Sequence, residues 1–374
     1  MTACREAPAV LIAALSGRAL AACARRGGYR PLVADLFGDL DTRALAEANE
    51  RVPGSLTRGF AQGALLGALD RLAAGRKVIG VVVGSGFEDR PRLLRALAGR
   101  HVLLGNTAET VIAIKDPFRF AETCARAGVP HPEIRRERPA DGVWLRKRAG
   151  GSGGVHVAAS TRRAGVRHGR YYQRLVAGVP VSAAFLASKG ACVVLGLSRQ
   201  WADPCAHQPF RYGGASRPAP VPLVQAAEIG DAVARLVSHT GLCGLNSADF
   251  LVRGDGLDLL EVNPRPGATL DIFADPSGVL FRLHLDACAG VLPRSTPTWP
   301  GAAAAATVYA DADICLPGNF VWPDWTADRQ PSGESVPCGA PLCTVLGEAP
   351  DAAAAEFLVR DRAAEMLGRA RGVL

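Results

Sequence analysis

Asn246-Ser247-Ala248-Asp249-Phe250-Leu251-Val252, then Arg253-Gly254-Asp255-Gly256, then Leu257-Asp258-Leu259-Leu260-Glu261-Val262-Asn263-Pro264-Arg265, is a pair of apolar runs around a Gly-Asp-Gly turn. The pattern predicts a β-hairpin. With the turn centred on Asp255, Asp249 faces Glu261, and directly opposed residues hold their Cβ atoms about 5 Å apart. Period-two alternation puts Asn263 on the same face, beside Leu251 and Leu259. Two like charges opposed in an apolar sheet are destabilising unless a cation lies between them. Oxygen donors from Asp, Glu and Asn are those that Mg2+ takes, usually together with phosphate oxygens. The plainer reading is a solvated hairpin face with ordinary acids, and Leu259, Leu260 and Val262 argue against it by making exposure of Glu261 unfavourable.

The 374 residues suffice for two or three domains with several cores. A hydrophobic share of 48% with 21% charged residues describes a globular chain and excludes a disordered one. The net charge of +8 comes from scattered Arg, with no basic block, no zinc-finger spacing and few aromatics. A preference for anionic small molecules accounts for it as well as non-specific nucleic-acid binding does, and no nucleic-acid partner is expected. The ten cysteines (4, 23, 124, 192, 205, 243, 288, 315, 338 and 343) show no C-x-x-C and no ligand-like pairing. They read as reduced thiols, mostly in the core.

Apolar Ala7–Leu15 and small-residue Ala19–Ala24 imitate a signal peptide weakly, but Glu6 and Arg18 spoil the pattern. Strand, loop and helix fit better. No run reaches the roughly 20 apolar residues of a membrane span, so no membrane partner and a cytoplasmic location are expected. Val10–Leu15, Pro31–Asp35, Val78–Val83 and Val102–Leu104 read as short strands between helical stretches, predicting a parallel α/β sheet. Ligands of such sheets sit beyond the carboxyl ends of the strands, where the loops Ser16-Gly17-Arg18 and Gly84-Ser85-Gly86-Phe87-Glu88 emerge. Neither is a G-x-G-x-x-G fingerprint, which leaves a dehydrogenase without support.

Asp116 is a good helix N-cap and Pro117 suits the first helical position. The helix Phe118–Ala127 should stop at Gly128. Val143–Arg148 runs as a strand into Gly150-Gly151-Ser152-Gly153-Gly154, where backbone N–H groups can converge on phosphate oxygens without side-chain obstruction. Val193–Arg199 reads as a strand, Trp201–Pro220 as an irregular stretch and Leu223–Thr240 as a helix. A further helix runs through Cys288. Ala306–Ala310 and Pro341–Leu346 are apolar segments around Trp322-Pro323-Asp324-Trp325, before a final helix.

The hairpin resembles the metal-binding hairpin of the ATP-grasp superfamily: an acid, then Glu-x-Asn-Pro-Arg with its Glu 12 positions on. The resemblance implies an α/β protein (with α+β lobes) of ATP-grasp fold, with an N-terminal Rossmann-like pre-ATP-grasp domain and a two-lobed ATP-binding region. Residues 1–105 would be the first domain, 106–172 the small lobe with its glycine-rich lid, and 173–295 the large lobe with the metal hairpin. Residues 296–374 would complete the large lobe. It further implies ATP as cosubstrate and one or two Mg2+ ions, with Mn2+ as a substitute, held by Asp249, Glu261 and Asn263. Lys115 and Lys147 would reach the phosphates, under the lid Gly150, Gly151, Ser152, Gly153 and Gly154. The backbone of Gln173, Arg174, Leu175 and Val176 would read the adenine edge, above Leu251. Departures are Arg148 where Pro is common, Ser247 where Arg often precedes the first metal acid, and no acid at Arg174 or near Pro180–Val181 for the ribose.

The layout is similar to that of amino-acid ligases of coenzyme biosynthesis, such as the tyramine–glutamate ligases of methanofuran synthesis, their relatives in methylotrophs, and the pyrrolysine-pathway ligase. That likeness implies a carboxylate–amine ligase acting through an acyl phosphate, with Arg265 and Arg211 catalytic and Ser16, Arg18, Ser85 and Glu88 at the substrate. Small-molecule carboxylates and amines are the expected partners, and a homodimer is the assembly considered. The alternatives are a bicarbonate-using carboxylase and a nucleotide-binding protein without turnover. Arg18, Arg211 and Arg265 are expected on loops facing the cleft, and without internal partners they would imply a substrate of more than one negative charge, such as glutamate or a glutamyl chain.

Overall fold

The computed structural model describes residues 7–160, 169–274 and 277–372. Its first sheet has four parallel strands in the order Ala48–Arg51, Arg30–Asp35, Ala9–Ala13, Val78–Val83. The expected strand at Val102–Leu104 is reduced to a single parallel bridge from Leu103 to Val81. These strands are apolar on both faces because both are covered. Leu11, Leu32, Val81 and Val83 pack on Leu65, Leu69 and Leu94 of the helices, whereas Val10, Ile12, Val33 and Val82 join a core with Ala184, Leu186, Leu245 and Phe281. The first sheet is thereby fastened to the large one, with the loops after Ala13 and Val83 at the edge of a cleft.

Two capped helices follow. Thr107 accepts from the Thr110 amide at the start of Ala108–Lys115, and Asp116 ends that helix and caps Pro117–Arg126 through the Phe118 and Arg119 amides. Their inner residues Ile114, Phe120 and Cys124 share a core with Phe185, Phe250, Val233 and Leu236 of the large sheet and its helix Leu223–Val237. A small antiparallel sheet comes next, in the order Ile134–Arg135, Arg170–Arg174, Trp144–Arg148, Ala158–Ala159.

The large antiparallel sheet has eight strands, in the order Gly256–Asn263, Gly244–Arg253, Val179–Ser188, Ala191–Ala202, Tyr212–Arg217, Ala302–Tyr309, Pro341–Ala349, Thr326–Ala327. Tyr212–Arg217 lies inside the stretch expected to be irregular. Gly, Ala and Ser have low strand propensity, but here they are required: a Cβ on Gly214 would stand 2.4 Å from the Trp201 ring and from the Ala305 carbonyl. The neighbouring strand meets it with Ala303–Ala306, so close contact takes the place of side-chain interdigitation. The helices Val279–Cys288 and Ala352–Ala370 complete the cover. Among the described residues no helix is long and apolar enough to cross a membrane.

Of the nine described cysteines, all free, Cys23, Cys124 and Cys343 are buried, whereas Cys205, Cys315 and Cys338 are exposed. The thiols are therefore less uniformly internal than expected.

Candidate active site

A cleft of about 860 Å³ runs between the first sheet, the small sheet and the open part of the large sheet. On its floor the hairpin turns at Gly254-Asp255, with Arg253 paired to Gly256 and Asp249 opposite Glu261. A bulge then intervenes: Phe250 pairs with Leu259, leaving Leu260 unmatched. The extra residue inverts the facing of everything on its turn side. Leu259, expected beside Asp249, is instead fully buried in the core with Phe250, and Leu260 lines the cleft beside Leu251.

Asp249 Oδ1 accepts from Ser182 Oγ at 2.6 Å and Gln200 Nε2 at 3.3 Å, and its Oδ2 accepts from Asn263 Nδ2 at 3.0 Å. Lys115 Nζ donates to Asn263 Oδ1 at 3.1 Å and lies 3.5 Å from Glu261 Oε2. The two carboxylates differ in their surroundings. Burial raises Asp249, and so does the neighbouring charge of Glu261; the Ser182 hydrogen bond offsets this only in part. Burial would raise Glu261 too, but Lys115, Lys147, His156 and Arg265 hold it below the ordinary carboxylate range. Glu261 is ionised by fixed cations, whereas the charge of Asp249 is still short of one. Among the described residues no group of three or more His, Cys, Asp or Glu could hold a metal ion. The hairpin offers two carboxylates and an amide oxygen, a donor set that suits a hard divalent cation retaining some water or phosphate ligands.

Lys147 is buried on the small sheet and donates to Gln173 Oε1 at 3.0 Å. Burial lowers its pKa, against the attraction of Glu261. The glycine-rich loop after it lies down across the cleft. Gly153 accepts from the Tyr212 amide at 3.0 Å, and Arg148 Nη1 donates to Asp89 Oδ2 at 2.8 Å. Gly154, at φ +73°, rests against the Phe210 carbonyl so closely that no Cβ fits. Gly150 packs on Glu88 and Asp89, and Gly151 lies under the His156 ring. Of the five predicted lid residues, Ser152, Gly153 and Gly154 line the cleft and the two glycines before them support it. Gln173, Arg174, Leu175 and Val176 line its apolar end with Leu251.

The arginines have internal partners, which corrects the expectation of free cations. Arg18 is not in a loop: it opens the helix Arg18–Arg26, where it pairs with Asp271 and Asp328. Arg211 donates to the backbone and carboxylate of Asp203 and stacks on Tyr309, its guanidinium 3.7 Å from the ring centre. Arg265 Nε donates to Glu88 Oε1, while Glu88 Oε2 accepts from the amides of Gly86 and Phe87. Glu88, predicted at the substrate, is thus buried behind Arg265. Ser16 and Ser85 do line the cleft, and Ser16 Oγ donates to Asp328 at 3.2 Å.

Two residues escaped the sequence reading. Buried Asn106 donates to Asn246 Oδ1, the Pro264 carbonyl and the Cys243 carbonyl at 2.8, 2.9 and 3.1 Å, and accepts from the Cys243 amide at 2.8 Å. It braces both ends of the hairpin. His156, two residues beyond the last lid glycine, lines the cleft. Burial pushes its imidazole down to about 4, against the pull of Glu261 and with Lys147 and Lys115 adding to the effect. Its position directly after the glycine run was the available signal.

Residues 114–269 match the family described as the ATP-grasp domain, a span that takes in Lys115, Lys147, the glycine-rich loop, the hairpin and Arg265. The chain belongs to the ATP-grasp superfamily. No curated protein matches it in sequence. Biotin carboxylase of Campylobacter jejuni, solved with an ATP analogue, is similar in structure, with a TM-score of 0.73 at 14% identity over 94% of this chain and 90% of that one. N5-carboxyaminoimidazole synthetase of Staphylococcus aureus, solved with ADP, gives 0.67 at 14% identity over 95% and 97%. The L-amino acid ligase of Bacillus licheniformis gives 0.69 at 14% identity over 96% and 97%.

Proposed function

We propose that the protein is an ATP- and Mg2+-dependent ligase that joins a carboxylate to an amine through an acyl phosphate. The observation that carries this reading is the hairpin: Asp249 opposite Glu261 with Asn263 between Asp249 and Lys115, in a cleft that Lys147 and a glycine-rich loop close from above. In the reaction, a carboxylate oxygen attacks the γ-phosphorus of ATP and ADP leaves. The amine nitrogen then attacks the acyl carbon, phosphate departs, and the nitrogen loses its proton. The protein supplies position and charge neutralisation, as in other phosphoryl transfers. Mg2+ held by Asp249, Glu261 and Asn263 would bridge phosphate oxygens and offset their charge. Lys115 and Lys147 add fixed positive charge beside it, and Arg265, steadied by Glu88, is the guanidinium placed to meet the reacting carboxylate or the acyl phosphate. The apolar end, with Leu251 and Leu260 beside the backbone of Gln173–Val176, is the place for the adenine.

The arginines provide no case for a polyanionic substrate, since each is neutralised from within. The amino-acid ligases of methanofuran-type coenzyme synthesis still define where to begin a substrate panel: glutamate as the carboxylate, tyramine and related amines as acceptors. ADP release should require a carboxylate and an amine together, with mass spectrometry finding their amide. ADP release that needs bicarbonate and no amine would replace this reading by a carboxylase, and ATP binding with no turnover on any pair by a binding protein.

The phosphate site has its own test. Lys147→Ala is expected to raise the dissociation constant for ATP roughly tenfold or more, the worth of a charge-assisted hydrogen bond. Folding should suffer little, because the variant removes a buried charge whose protein hydrogen-bond partner is one neutral amide. Isothermal calorimetry and urea denaturation separate the two effects, and unchanged affinity would move the phosphates elsewhere.

A further inference from the structure

The lid carries one side chain whose polar atom is enclosed and unspent. His156 Nδ1 is buried with no hydrogen-bond partner in the protein. Buried polar groups are satisfied in nearly all native structures, and an exception calls for a cause. The ring is held in place, because it fills the space over Gly151: a Cβ there would stand 2.1 Å from its Cγ, so no other residue at 151 permits this placement. The turn that carries it is closed by the Val157 amide donating to the Gly154 carbonyl at 3.1 Å, and the lid below is tied to Tyr212. The ring lines the same cleft as Glu261 and Lys147, whose charges act on it.

We propose that His156 is a ligand-binding residue of the lid, its Nδ1–H donating to an oxygen of the nucleotide's phosphate chain beyond the α-phosphate. The unpartnered atom then has its partner only when nucleotide is bound, and the lid contributes a side chain as well as backbone amides. The inference rests on the proposed ATP site and is separable from it in the same measurement. Binding of ATP, ADP and AMP with Mg2+ is measured by calorimetry on the full chain. His156→Ala should weaken ATP and ADP about tenfold and leave AMP within twofold. His156→Asn, whose amide nitrogen falls near the position of Nδ1, should restore most of the loss, and His156→Gln should not. Unchanged ATP affinity in His156→Ala overturns the inference, as does an equal loss for AMP or a failure of Asn to restore binding. Failure of the unaltered protein to bind ATP overturns the ATP site itself.

Discussion

Arg18→Ala is expected to lower the stability of the fold by about 3–5 kcal/mol, the cost of leaving buried charges without their counterion. The guanidinium is 7% exposed, between carboxylates exposed by 13% (Asp271) and 22% (Asp328). Its Nε and Nη2 donate to Asp328 at 3.0 and 2.8 Å, Nη2 also donates to Asp271 at 2.8 Å, and Nη1 completes the fork on Asp271. Burial alone would raise the Asp328 carboxyl, but the charge and hydrogen bonds of Arg18, with hydroxyls from Thr344 and Ser16, hold it below its usual range. A carboxyl depressed in the native state stabilises fully above its unfolded pKa, near 4, and loses that contribution as pH falls through the native value. The deficit of the variant should therefore be large at neutral pH and shrink in acid. Denaturant unfolding at pH 7 and near pH 3 measures it. Arg18→Lys, which keeps the charge and loses the fork, should fall between. An alanine variant of full stability with a raised Michaelis constant for the carboxylate would return Arg18 to substrate binding.

Glu261→Gln and Asn263→Ala should each reduce Mg2+-dependent turnover by roughly a thousandfold or more, the equivalent of several kcal/mol of metal-derived transition-state stabilisation, with the protein still folded. Asp249→Asn distinguishes metal binding from general damage. Asp249 is penalised by burial and by Glu261, so removing its charge should leave stability equal or higher while turnover is lost. Steady-state ADP release and thermal unfolding on the same preparations provide both readings. Near-normal activity in Glu261→Gln or Asn263→Ala would show that the hairpin is not the metal site.

The parts of this site that could be read from the chain are those whose partners lie close in sequence. Asp249 and Glu261 meet through a hairpin whose turn residues fix the register, and Asp116-Pro117 announces its helix by local chemistry. The bulge at Leu260 was invisible because every candidate position is apolar, and the choice is made by the core under Phe250 and Leu259. The partners of Arg18 lie 253 and 310 positions away, so its sequence neighbourhood suggested a free cation where folding builds an internal ion cluster. The strand Tyr212–Arg217 hid behind Gly-Gly-Ala-Ser, a composition that only the bulk of Trp201 next to it explains.

The brace at Asn106 divides the molecule into what can swing and what cannot. Because this amide grips Cys243, Asn246 and Pro264, and because Ile114, Phe120 and Cys124 are embedded against the large sheet, the two helices from Ala108 to Arg126 travel with the hairpin. Lys115 is consequently a fixed electrode, set against Glu261 whatever the lid does. Lys147 and His156 belong to the small sheet and its loop, which meet the rest of the chain through Val129-Pro130-His131-Pro132 on one side and Ala177-Gly178-Val179-Pro180 on the other. The Leu259 amide holds the Pro130 carbonyl at 2.8 Å, which puts the pivot on that side just beyond Pro130. Half of the positive charge around the phosphates is thus stationary and half arrives by rotation, so entry of the nucleotide and enclosure of it become electrostatically distinct events.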